Sequence, residues 1–100
     1  MSRPVLVAPK AEDEVIAAYL WYERQSPIAA ARFLQALDRA MKQVSERPDS
    51  FPAYLAGARS CQLHKFPYLV IFRVHPAKID VIAIAHGHRK PGYWRDRLTK

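Results

Sequence analysis

One cysteine, Cys61, stands in 100 residues, so no internal disulfide can form and no Cys pair offers zinc-ligand spacing. That fits a reducing, cytoplasmic setting. Glycine is scarce too: Gly57, Gly87 and Gly92 are too scattered for a phosphate-cradling loop. Nine Asp and Glu stand against sixteen Lys and Arg, and the formal charge of +7 selects anionic partners: nucleic acid, an acidic protein segment or a negatively charged surface. No apolar run approaches membrane-spanning length, and Val5-Leu6-Val7-Ala8 is too short for a signal peptide. An unexported protein without a membrane anchor is expected. His64 has no second and third ligand at metal spacing, so no metal or cofactor is expected either.

What is present is globular composition, half hydrophobic and a quarter charged. One domain over residues 1–100 is predicted, burying ~60–70% of the surface its unfolded chain exposes. Val5 to Ala8 reads as a short strand closed by Pro9. Glu12, Asp13 and Glu14 then suit the positive end of a helix dipole, and Val15, Ile16, Tyr19, Leu20 and Tyr22 recur at helical spacing to about Gln25. Ser26-Pro27 is a helix start, with a serine cap and a proline at the first helical position. Ala30, Phe33, Leu34, Leu37, Met41 and Val44 carry the second helix to about Arg47, where Pro48 stops it. Two helices with almost no linker imply an antiparallel hairpin.

Pro48 to Ala58 reads as a loop tied to the core by Phe51 and Tyr54. Strands are predicted over Arg59 to Lys65, Tyr68 to Val74 and Lys78 to Ala85, with turns at Pro67 and His75-Pro76-Ala77. The fold class is α+β: a small, mainly antiparallel sheet with the helix hairpin on one face and a basic C-terminal tail, the first strand joining at an edge or beside the last. The last two strands are apolar on both alternating faces. Antiparallel sheets usually need only one covered face, so the second must be covered by the tail or by another molecule. A partner chain is the expectation.

Ser26-Pro27 with Ala29-Ala30-Ala31-Arg32-Phe33, Arg47-Pro48, Arg59 opening a strand, Tyr68-Leu69-Val70-Ile71-Phe72-Arg73-Val74 and Ile84-Ala85-His86-Gly87-His88-Arg89 follow one another in an order that resembles the RelE/ParE superfamily of bacterial toxins from type II toxin–antitoxin modules. The likeness covers nearly the whole chain and is closer to the ParE, or plasmid-stabilisation, branch. Ala8-Pro9 stands where the family often has Ser-Pro, and His88 where it often has arginine. The resemblance implies a toxin that arrests growth by inhibiting DNA gyrase and is neutralised by an acidic antitoxin, as a heterotetramer or with a toxin homodimer.

The resemblance implies an alternative, a ribosome-associated mRNA endonuclease of RelE type. Metal-free RNA cleavage needs proton transfer and stabilised phosphoryl charge, which His86, Arg89, Tyr93, Arg73 and Arg59 could supply. A second alternative is an inactive, toxin-like interaction module. Antitoxin contact is expected at Phe72, Val74, Ile82, Tyr93 and Trp94, with Trp94 favoured as a core residue folded back on the sheet. Target contact is expected at Arg89, Arg95 and Arg97 in the tail, beside Lys90 and Lys100, and at Arg32 and Arg39 on the helices.

Overall fold

A computed structural model of the chain describes residues 3–98, so Lys100 lies outside them. The elements run β1 (Val5–Val7), α1 (Pro9–Gln25), α2 (Pro27–Glu46), a 3-10 turn (Pro48–Ser50), β2 (Arg59–Gln62), β3 (Tyr68–Val74), β4 (Ile79–His86) and a second 3-10 turn (Arg95–Leu98). β3 pairs antiparallel with β2 and β4, while β1 lies parallel beside β4, giving the strand order β1-β4-β3-β2. The α+β class and the placement of the first strand beside the last are as expected. Among the described residues no helix is long and apolar enough to cross a membrane.

Local chemistry explains most of the boundaries. α1 starts at Pro9, ahead of Glu12, because proline at a first helical position sacrifices no hydrogen bond, and the Glu12 N–H already donates to the Ala8 carbonyl at 3.0 Å. Ser26 serves both helices. Its N–H donates to the Tyr22 carbonyl, while its Oγ accepts from the N–H groups of Ile28 at 3.1 Å and Ala29 at 3.4 Å. β2 stops at Gln62 rather than Lys65, because Lys65 adopts a left-handed φ of 67° and turns the chain. The Gln62 amide bridges that turn to the Phe66 carbonyl at 2.9 Å.

One face of the sheet is covered by the hairpin. α2 buries Ala30, Phe33, Leu37, Ala40 and Val44 at alternating spacings of three and four residues, and α1 buries Ala11 and Ala18. They meet Val70, Phe72, Ile79, Val81 and Ile84 from the strands. Rings of Tyr22, Phe33, Phe66 and Tyr68 cluster there, with centroids 5.1–6.4 Å apart.

The other face is covered by the chain's own tail. Trp94 is 1% exposed over Ala58, Ile71, Ile82, Ala83 and Ala85, with Leu55, Leu69, Tyr93 and Leu98 around it. The expectation that a partner must cover this face is therefore corrected: one indole and a succession of turns do so. Gly92 permits that path because its φ of 81° lies in the left-handed region that residues with a Cβ rarely adopt. A β-bulge adds to the lost alternation. Ile71 pairs with Ala83 and Phe72 with Val81, which leaves Ile82 as an extra residue; Ile82 and Ala83 both join the tail-side cluster before Ile84 returns to the helix side.

Candidate functional site

β1 is three residues long and β4 eight, so β4 runs on past Val81 without a strand neighbour on that side. Unpaired backbone polar groups there need other partners. The Ile84 N–H donates to Glu14 Oε1 at 3.0 Å, and the Ile82 carbonyl accepts from Arg97 Nη1 at 3.1 Å. Those two side chains also bind each other: Arg97 Nη1 meets Oε1 and Nη2 meets Oε2, both at 3.0 Å, a fork-on-fork pair. Each side chain is 16% exposed.

Three tail residues converge on Glu14. Besides Arg97, the Tyr93 hydroxyl donates to Oε2, and Arg89 Nη1 lies 3.7 Å from the same oxygen. The Arg89 guanidinium sits 3.6 Å from the Tyr93 ring centroid, a cation–π contact at a partly solvated site. Burial pushes the Glu14 carboxyl up, but hydrogen bonds from Arg97, Tyr93 and the Ile84 N–H, with the Arg97 charge, leave it below its usual value. Burial, then the Glu14 hydrogen bond and charge, push the Tyr93 hydroxyl up to about 12. The pair is thus a carboxylate and a neutral phenol at physiological pH.

Arg89, Tyr93 and Arg97 are therefore brought together, around a residue whose place in the sequence suggests only a helix-dipole role. The signal that finds Glu14 is its spacing: Ala11, Glu14 and Ala18 share one helical face, and both alanines are buried. Arg95 and Lys90 are exposed on the same tail, whereas Arg32 and Arg39 are exposed on α2.

The candidate ribonuclease set is divided. His86 pairs with Tyr68 at one end of β3 and β4, and Arg73 faces Asp80 five residues further along, about 16 Å away at the strand rise. Arg59 is occupied with the loop, donating to the Phe51 carbonyl at 2.6 Å. His86 packs edge-on against Tyr68, and its Nδ1 accepts from the His88 N–H at 3.0 Å.

The residues expected to contact the antitoxin differ in their exposure. Phe72 is 0% exposed on the helix side, where Phe51 packs edge-on against it, and Ile82 is buried under the tail. Val74 and Tyr93 are half-buried and Trp94 is core. Accessible apolar surface lies instead on α1, where Ile16, Leu20 and Trp21 are each about half exposed. Beside Trp21 a cleft of about 500 Å³ is lined by Glu14, Tyr22, Tyr68, His86 and Arg89.

This architecture recurs among known proteins. The chain is similar to Toxin ParE2 of two Mycobacterium tuberculosis strains, CDC 1551 / Oshkosh and ATCC 25618 / H37Rv, at 27% identity over 92 residues, which cover 91% of this chain and 88% of each relative. Its fold matches a chain from the chromosomal ParDE TA system of P. aeruginosa with a TM-score of 0.74 at 21% identity, covering 85% of this chain and 96% of that one. A family model described as the ParE toxin of type II toxin-antitoxin system, parDE, matches residues 5–91, and the chain accordingly belongs to the ParE toxin family.

Proposed function

We propose that this ParE-family toxin arrests growth by binding DNA gyrase in the cytoplasm and that an acidic antitoxin neutralises it. The observation that carries this reading is the family match across residues 5–91. The +7 charge and the exposed cations Lys90, Arg95, Arg32 and Arg39 support an anionic binding partner. For the antitoxin, the accessible chemistry is the exposed apolar surface of α1, with Ile16, Leu20 and Trp21, the last of these lining one cleft with Arg89. It fits an amphipathic segment that offers apolar side chains to α1 and carboxylates to the tail.

Expression of the chain alone is expected to arrest bacterial growth with double-strand DNA breaks and intact mRNA. Its antitoxin should restore growth and co-elute with it in gel filtration. Codon-related mRNA cleavage without DNA breaks would put the ribonuclease in its place, although the separation of His86 from Arg73 and the engagement of Tyr93 by Glu14 favour binding over catalysis.

A further inference from the structure

Gly87 and Arg89 donate backbone N–H groups to the Pro67 and His86 carbonyls, at 2.7 and 3.0 Å, and beyond them three side chains of the described tail converge on Glu14. Glu14 accepts from Tyr93 and Arg97 and faces Arg89, while Arg97 also holds the Ile82 carbonyl at the bulge. The apolar seat is smaller than the helix-side core: Trp94 covers Ile71, Ile82 and the alanines 58, 83 and 85, with Leu55, Leu69, Tyr93 and Leu98 partly buried around it and Tyr54 stacked at 6.2 Å. The helix-side core shares no buried residue with it.

We propose that Glu14 is a positioning residue that fixes the tail in one arrangement, and that losing its charge releases residues 90–98 from the sheet while the helix-side core stays folded. Arg97 is the reason. Without Glu14 it is a largely buried cation beside a single carbonyl, and such a group regains water when the segment carrying it swings out. That movement takes Tyr93, Trp94 and the turn Arg95–Leu98 with it and leaves the Tyr22, Phe33, Phe66 and Tyr68 cluster untouched. It is a local opening whose cost is limited to the tail's own contacts. The link to toxicity rests on the proposed target-binding role of the tail; the release itself does not.

The two tryptophans make the test direct. In a Trp21→Phe background only Trp94 emits, and adding Glu14→Gln should raise acrylamide quenching several-fold at neutral pH while the far-ultraviolet helical signal is retained. A pH profile separates positioning from bulk support. The groups facing Glu14 are Tyr93, Arg89 and Arg97 from the tail and His86 from β4, which lines the same cleft. Because the Glu14 carboxyl lies below 4.5 in the folded protein, quenching in the parent should rise only as pH falls below that value, and the Gln variant should show no such step.

Trp94 still protected in Glu14→Gln would overturn the proposal, as would loss of the helical signal together with Trp94 protection in that variant and in the acid-titrated parent. If Glu14→Gln does not fold, the acid titration of the parent and a Tyr93→Phe variant decide between a released and a retained tail in its place. Weakened growth arrest by a folded Glu14→Gln protein with a released tail supports both the positioning role and the tail's part in target binding, whereas undiminished arrest with a released tail supports the positioning role and rejects the tail's part in target binding. Undiminished arrest with a protected tail rejects the release, leaving the gyrase reading intact.

Discussion

The two faces of this sheet are sealed by different means. On the helix side, Phe33, Val44, Leu63, Val70, Phe72, Ile79 and Val81 are buried almost completely, and rings interlock across three elements. On the tail side one large residue, Trp94, sits on two isoleucines and three alanines, and the segment that carries it is tied by a carboxylate–guanidinium pair. Apolar packing of the first kind resists opening in proportion to the area it hides, whereas the second kind depends on a few directional contacts that pH or one substitution removes.

Phe33→Ala should produce the largest effect. A buried aromatic truncated to alanine costs about 3–5 kcal/mol, and because Phe33 stacks on Tyr22 and meets Phe66 and Tyr68, the loss should appear as a lower midpoint for the whole fold in denaturant titration. Trp94→Ala removes a larger ring and should cost the global fold less. Once the tail's contacts are spent the segment detaches, and the penalty cannot exceed the free energy that closed it. Limited trypsin digestion should then cut rapidly after Arg89 and Arg95 while the helical signal persists. Equal midpoint losses for both variants would show that the faces unfold as one unit.

That division was partly legible in the residues. The hairpin, the Ser26 cap and the strand order follow from local rules, since proline positions, a capping hydroxyl and helical spacing act within a few residues. The doubly apolar run Val81-Ile82-Ala83-Ile84-Ala85 correctly indicated two covered faces, but it does not say what covers them. A bulge at Ile82 shifts the phase of the strand, and no local spacing announces which residue is extra. Glu14 was hidden for a different reason. Its partners lie 70 to 83 positions away, and three acids in a row at a helix start already have a local explanation. Arg59, Arg73 and His86 looked like one set in sequence and fall at separate places because strand register, not residue type, decides which cations meet.

The smallest expected effect comes from Tyr93, and it tests whether the faces open independently. Its neutral form is favoured in the folded protein, so its contribution is complete below the usual value of 10.0 and is lost as pH climbs through about 12. Trp94 quenching should therefore rise over that alkaline range. Burial also raises Tyr22 and Tyr68 on the helix side, so their ionisation loosens the other face in the same direction. Tyr93→Phe distinguishes the two sources. It keeps the ring under Arg89 and removes one hydrogen bond to a charged acceptor, at a cost of about 1.5–3 kcal/mol, less than the loss of Glu14, which accepts four. The Phe variant should lose the alkaline step in Trp94 quenching and keep the alkaline loss of helical signal. If the quenching step survives in that variant, the tail is being opened from the helix side through Tyr22 and Tyr68, and the aromatic core and the Glu14 fastening are coupled across the sheet.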